Sequence, residues 1–359
     1  MLIDGLDVAV YRFPTPEPEA DGTLTWDATT AVVVTAYAGD RSGLGWTYST
    51  HAAAAIVRDH LAAAVARRDV NDLGGCWQAM HRACRNLGTR GVVMQAISAV
   101  DVALWDLKAR LLDVPLTRLL GRARDRVPVY GSGGFVTMTD EQLGEQVEEW
   151  RKAGCTAVKI KIGEQWGGSE ERDLERVTLL RRFAGRDADL MVDANGGYRR
   201  GQARRVGVQL DELGVTWFEE PVSSDDVRGL AALRDQLRCD VTAGEYLADL
   251  ADVPSLAAAV DCLQLDATRC GGYTGFLRAA AVAQAEQLDV SAHCAPALHL
   301  PVAAAVPNLR HVEWFADHAR LEPLLLNGVP EVHDGALVPV DGPGHGYLLA
   351  ESAAGFVSV

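Results

Sequence analysis

Three carboxylates stand at equal steps along the chain: Asp193 in Val-Asp-Ala-Asn195, Glu219 in Trp-Phe-Glu-Glu-Pro221 and Glu245 in Ala-Gly-Glu245, each 26 residues after the last. Before them comes Val158-Lys-Ile-Lys-Ile162, a strand pattern that puts Lys159 and Lys161 on one face and three aliphatic residues on the other. After them come Asp266, His293 and Glu313, at further steps of 21, 27 and 20 residues. One strand, one helix and two short loops of a β/α barrel take roughly 25 to 30 residues, so these side chains fall at successive strand ends. Three converging anions repel one another. A hard divalent cation with oxygen ligands neutralises them and keeps positions open for water and substrate. Asp193, Glu219 and Glu245 are therefore expected to hold Mg2+, with Mn2+ as the alternative. Lys161 on one side and His293 on the other would flank a bound carbon, which is an arrangement for moving a proton. Asp266, one strand from His293, can accept its Nδ1 hydrogen, fix the tautomer and raise its basicity.

Each residue has a plainer reading. A lone strand-end acid is more often a helix cap than a ligand, and a lone histidine more often structural. Even spacing behind an inward Lys-x-Lys is a poor match for capping, and Asp266 gives His293 a partner. His51, His60, His81, His299, His311, His318, His333 and His345 lack such company and are assigned no role. Glu220 is expected to point to the opposite face from Glu219, as a supporting or helix-side partner. Arg269 either neutralises the carboxylates or forms a structural salt bridge.

These side chains need a scaffold. Alternating residues around Leu6–Phe13 and Thr30–Tyr37, with a turn at Gly39–Gly43 leading to Trp46, read as a small antiparallel sheet. From His51 to about Val114 the pattern is helical, with Val92, Ala96, Ile97, Val100, Ala103, Leu104 and Leu107 on one face. From Arg126 onward, eight short strand-like runs alternate with helical stretches, beginning at Val127, Ala157, Leu190, Thr216, Asp240, Cys262, Asp289 and His311. Parallel strands with right-handed crossovers follow, and eight of them fit a closed barrel better than an open doubly wound sheet. The expected fold is an α/β barrel, (β/α)7β and TIM-like, with an N-terminal α+β capping domain. The expected division is residues 1–125 for the cap, 126–323 for the barrel with the site, and 324–359, rich in Gly and Pro, for a segment packing back on the cap.

Composition excludes several classes. Of 359 residues, 49 are acidic and 34 are Lys or Arg, a net charge of −15 that argues against a nucleic-acid partner. The seven cysteines are scattered without a C-x-x-C pair, so neither a disulfide framework nor a zinc motif is expected. The start of the chain lacks a signal-peptide pattern and no apolar run is long enough to span a bilayer, so a cytoplasmic protein without a membrane partner is expected.

With these residues in view, the chain resembles the enolase superfamily, and within it the mandelate racemase group. The matching segments are Val-Lys-Ile-Lys-Ile-Gly163, Val-Asp-Ala-Asn195, Phe-Glu-Glu-Pro221, Gly-Glu245, Asp266 five residues before Gly271-Gly272, Ser-Ala-His293 and Glu313, joined by Ala-Ile-Ser-Ala-Val-Asp-Val-Ala-Leu-Trp105 and Pro115-Leu-Thr-Arg-Leu-Leu-Gly121 in the cap. The resemblance implies that Asp193, Glu219 and Glu245 ligate magnesium and that Lys161 and the His293–Asp266 pair serve opposite faces of the substrate. It further implies that Lys159 helps hold the substrate carboxylate and that Glu313 bonds it. A second catalytic lysine would replace Asp266 in the muconate-cycloisomerase-like group, so cycloisomerase, dipeptide epimerase and succinylbenzoate synthase readings are disfavoured. The lengthened link Gly163–Arg172 leaves the local loop geometry open. The expected activity is proton abstraction next to a carboxylate in a small acid, leading to dehydration of a sugar acid. A racemase or epimerase is the alternative, and a non-catalytic acid-binding descendant the alternative of another class; a homo-oligomer is expected. Cap loops should set specificity, with Asn195, Trp26, Trp46 and Tyr48 as substrate contacts. Pro14–Asp27 carries Glu17, Glu19, Asp21 and Asp27 and no Lys or Arg, which favours an aldonate over a dicarboxylic aldarate.

Overall fold

The computed structural model describes residues 1–358. Strands β1 (Gly5–Ala20), β2 (Thr25–Ala38) and β3 (Arg41–Tyr48) form an antiparallel sheet in that order, with Val10 opposite Val32 and Val33 opposite Trp46. The alternation along these strands serves two interfaces. Val10, Val32, Val34 and Ala36 pack on the cap helices, whereas Tyr11, Phe13, Val33 and Trp46 join the core shared with the barrel. Helix Val92–Leu111 lies directly on β3: a side chain on Gly43 or Gly45 would begin 2.3 Å or less from its backbone. The same helix docks on the barrel through Ser98, whose hydroxyl accepts the Gly271 and Gly272 amides, and Asp101, which accepts the amide and hydroxyl of Thr274.

Eight parallel strands follow: β4 (Val127–Gly133), β5 (Ala157–Lys161), β6 (Asp189–Asp193), β7 (Val215–Glu219), β8 (Asp240–Ala243), β9 (Cys262–Leu265), β10 (Asp289–Ala292) and β11 (Leu309–Phe315). Each pairs with the next and β11 pairs back on β4, so the expected barrel closes. On β5, Val158 and Ile160 face the surrounding helices, beside residues such as Leu143, Val177 and Leu180. Inside the barrel Tyr130, Met191, Trp217 and Cys262 form a separate apolar plug. The plug closes the floor, so the charged residues at the strands' C-terminal ends face only the mouth, where barrel sites form. The Gly- and Pro-rich stretch after Leu325 runs back along the cap: Phe356 meets Phe13 with ring centroids 4.6 Å apart, and the Ser358 amide donates to the Val10 carbonyl. No helix among the described residues is long and apolar enough to cross a membrane.

Candidate active site

Strand register does the first part of the assembly. Lys161 lies opposite Asp193, and Asp193 opposite Glu219, across β5, β6 and β7. Glu245 stands two residues beyond β8, while Asp266 and His293 each follow the last residue of β9 and β10 directly. Carboxylate oxygens of Asp193, Glu219 and Glu245 all come within 4.8 Å of one another, and all three residues are buried. Glu219 Oε1 and Oδ1 of Asn195 at the same mouth have no hydrogen-bond partner, and Glu245 Oε2 has no neighbouring donor but His293 Nε2, 3.2 Å away. Buried carboxylate oxygens without partners are costly. Burial, with Asp193 next, pushes Glu219 up to about 7 in spite of Lys159. Such a cluster fits a hard divalent cation, which would supply the missing partner to each open oxygen.

Ionisable groups able to carry a proton lie at two edges of this trio. Lys161 Nζ bonds Asp193. Burial opposes its charge, and Asp193 overrides burial and holds the ammonium above its usual range. On the other side His293 Nδ1 is 2.9 Å from Asp266 Oδ2 and its Nε2 is 3.2 Å from Glu245 Oε2. Burial works to raise the Asp266 carboxyl, but the His293 hydrogen bond and Arg269 bring it down to about 2. Asp266 is thus a permanent anion behind the imidazole. Arg269 reaches both acids, with Nη1 2.9 Å from Glu245 and Nε 3.4 Å from Asp266, so of its two readings neutralisation of the carboxylates describes it better.

A family model described as "Enolase C-terminal domain-like" matches residues 142–353, and one described as "Mandelate racemase / muconate lactonizing enzyme, N-terminal domain" matches residues 19–121. The chain belongs to the mandelate racemase group of the enolase superfamily. It is 33% identical over 320 residues to L-talarate/galactarate dehydratase of Salmonella typhimurium, covering 87% of this chain and 78% of that one. It also superposes on a mandelate racemase/muconate lactonizing enzyme-like protein from Rubrobacter xylanophilus, with 44% identity, a TM-score of 0.96 and full coverage of both chains. A racemase from Streptomyces coelicolor solved with bound magnesium matches with 30% identity and a TM-score of 0.93, over 99% of this chain and all of that one.

Against the mandelate racemase framework, several expectations need correction. Lys159 does not reach the cleft: its Nζ is fully enclosed and bonded to Glu219, Glu313 and Tyr130, which uses all three of its hydrogens. Glu313 is likewise enclosed, accepting from Ser132, Lys159 and the Cys294 amide. For Glu220 the expected face alternation fails, because its φ of +38° ends the extended backbone. Burial, followed by the charges of Glu245 and Asp193, pushes its carboxyl well up, in keeping with the supporting rather than the helix-side reading. Trp46 is buried, edge-on against the stacked rings of His345 and Tyr347, and does not line the cleft.

The cleft, of about 230 Å³, is lined by Lys161, Asn195 and His293 on the barrel side and by Asp21, Trp26 and Tyr48 of the cap. Gly22 seats the cap loop: a Cβ there would lie 2.4 Å from the Gly163 carbonyl oxygen, so the loop rests on the backbone just past Lys161. The link after β5, left open by the sequence, turns here through left-handed Gln165 and Trp166, and the Trp166 amide donates to the Gly22 carbonyl.

Two histidines passed over in the sequence belong to the site. His299 Nε2 accepts the Ala267 amide and its Nδ1 meets the Cys294 carbonyl, tying the loop after Asp266 to the loop after His293. His318 also lines the cleft, stacked on Tyr48 at 3.8 Å. Its Nδ1 accepts the Ala295 amide, so Nε2 carries the hydrogen. Burial holds the ring neutral by bringing it down to about 4. No local pattern marked either residue, since their partners are distant in sequence or belong to the backbone.

Proposed function

We propose that the protein dehydrates a sugar acid, an aldonate, to a 2-keto-3-deoxy acid. The observation that carries this reading is the placement of Lys161 and the His293–Asp266 pair at opposite edges of the carboxylate trio, all opening on one cleft. Mg2+, or Mn2+ in its place, held by Asp193, Glu219 and Glu245, supplies the positive charge that proton removal beside a carboxylate requires. Asp193, which bonds the Lys161 ammonium here, would be taken up by the cation. Lys161, once it has given that proton to solvent, would be the base as the neutral amine and take the proton from the carbon next to the carboxylate. His293, kept protonated by Asp266, gives a proton to the β-hydroxyl as its C–O bond breaks. Water leaves, and the enol that remains becomes the keto acid. Lys159 and Glu313 act beneath this layer, as a charge pair that positions Glu219 and the Cys294 loop. Asn195 and Tyr48 face the substrate from the barrel and the cap, and Trp26 closes the side beside Phe135.

The aldonate rests on the far end of the cleft. Asp21 and Asp317 line it, and Glu19 stands behind Trp26 with its carboxyl pushed up to about 7 by burial and by Asp317. Arg320 is spent on Asp317. Asp21 Oδ1 already takes the Thr23 and Leu24 amides and the Thr23 hydroxyl, and Asp317 takes Thr29 and Arg320, so this end has spare lone pairs for hydroxyls and would repel a second carboxylate. The name of the Salmonella relative, a dehydratase of the diacids talarate and galactarate, favours an aldarate as the second reading. Seven free, buried cysteines fit a reducing cytoplasm.

The test is incubation of the Mg2+-loaded protein with matched aldonates and aldarates, following 2-keto acid and solvent deuterium at the α-carbon. Keto acid formed preferentially from aldonates supports the proposal. Preference for dianions overturns the aldonate, deuterium exchange without keto product indicates an epimerase, and no turnover or exchange with any acid indicates a non-catalytic protein.

A further inference from the structure

Beside the all-oxygen trio lies a second group of ligating atoms of different chemistry, two of them at the cleft wall and the third, Glu313, just behind it. His293, Cys294 and Glu313 each present one donor atom, a nitrogen, a sulfur and an oxygen, all buried and all within 4.8 Å of one another. Cys294 Sγ is 3.3 Å from His293 Nε2, and Glu313 Oε2 is 3.8 Å from the same nitrogen. Ligands bonded at 2.0–2.3 Å around a tetrahedral ion lie about 3.3 to 3.8 Å apart, so these spacings are those of a zinc site before the metal enters. Two further features show that the arrangement is built. Adjacent residues of an extended strand point to opposite faces, but Cys294 has φ of +53°, and this turn brings its thiol to the imidazole of the residue before it. Asp266 meanwhile occupies Nδ1, the carboxylate–imidazole arrangement that fixes a metal-binding histidine, and leaves Nε2, which has Glu245 Oε2 at 3.2 Å, as the ligating nitrogen. His293 and Cys294 both line the cleft, which gives an ion a path. Proton abstraction and loss of hydroxide use no thiol.

We propose that His293, Cys294 and Glu313 form a second, inhibitory metal site that takes a thiophilic divalent ion, Zn2+ in the cell, with water as its fourth ligand. A nitrogen–sulfur–oxygen set selects zinc or cadmium over magnesium, which leaves the oxygen trio to the activating ion. On binding, the thiol proton and any proton on Nε2 pass to solvent, three coordinate bonds form, and nothing is oxidised or reduced. Occupation of Nε2 removes His293 from acid–base work. The inhibitory effect rests on the proposed function; the site itself does not.

The test keeps the protein folded and in saturating Mg2+, and titrates Cd2+ while following the ultraviolet thiolate-to-cadmium absorption. One equivalent per chain is expected, with the band lost in both Cys294→Ala and Cys294→Ser and kept in Glu245→Gln. The other six cysteines remain in each variant as an internal control, and circular dichroism checks that the variants fold. His293→Gln should weaken Cd2+ binding at least tenfold. A band unchanged in both Cys294 variants, or one abolished by excess Mg2+ or by Glu245→Gln, overturns the site. With a substrate in hand, equimolar Zn2+ should lower wild-type turnover at least tenfold and spare Cys294→Ala relative to its own rate in Mg2+. Binding without inhibition would overturn the inhibitory role alone. Absence of turnover with every acid would count against the proposed function, and the cadmium titration would still decide the site.

Discussion

Replacing Glu322 with glutamine should stabilise the protein at neutral pH and change little in mild acid. The Glu322 carboxyl is completely buried; Oε2 accepts the Ala297 amide at 3.0 Å, and Oε1 takes the Tyr48 hydroxyl at 3.3 Å. Burial pushes it from 4.5 up to about 8, against the pull of both hydrogen bonds. Between those two values the native protein keeps a proton that the unfolded chain has released, so stability falls as pH rises. Each pH unit in that window costs about 1.4 kcal/mol, so from pH 5 to pH 7 this one group removes on the order of 2 to 3 kcal/mol. Glutamine has the shape of the protonated acid and does not ionise, so Glu322→Gln should show none of this loss. The assay is urea unfolding of both proteins at pH 5 and pH 7, at matched ionic strength. The difference between their pH dependences isolates Glu322, because the other titrations cancel. Parallel pH dependences, within about 0.5 kcal/mol, would refute the argument and mean that the carboxyl ionises in the folded state at little cost. The group matters to the cleft because it joins Tyr48 of the cap to the helix Pro296–Ala303, beside His318.

Other substitutions probe the cleft itself. Lys161→Ala and His293→Asn should each lower turnover at least about 100-fold while calorimetric Mg2+ affinity stays within a few-fold; near-wild-type turnover in either would remove that residue from the chemistry. Gly22→Ala puts a methyl group against the Gly163 carbonyl and should lift the cap loop, raising KM with Mg2+ affinity unchanged; an unaltered KM would show that the loop does not shape the site. His318→Phe keeps an aromatic ring on Tyr48 but loses the Nε2 hydrogen, and kcat/KM should fall about tenfold, the worth of one hydrogen bond to substrate; an unchanged value would make the stack purely structural.

The carboxylate cluster could be read in advance because a β/α unit has nearly constant length, so a residue's place in the chain reports its place around the barrel. Asp193, Glu219 and Glu245 keep that step, and register across β6 and β7 then aligns the first two. Glu220 defeated the same logic. Face alternation assumes extended backbone, and the left-handed turn at that residue breaks it, as do those at Asn195 and Cys294 at other strand ends. Backbone held in such sparsely populated conformations is characteristic of functional loops and carries no period that a sequence could display.

The cap was harder to read for a different reason. Trp46 and Tyr48 are two apart on β3 and share a face, yet one is sealed into the core and the other lines the cleft. What separates them is depth along the strand: His345 and Tyr347, some 300 residues further on, cover Trp46 and stop short of Tyr48. His318 depends in the same way on the Ala295 amide and on Tyr48. The barrel's ligands follow from local repetition and the walls of its pocket from contacts between distant segments. A sequence of this kind therefore discloses the class of chemistry more readily than the identity of the acid, because Asp21, Asp317 and His318 are brought to one cleft only by the fold.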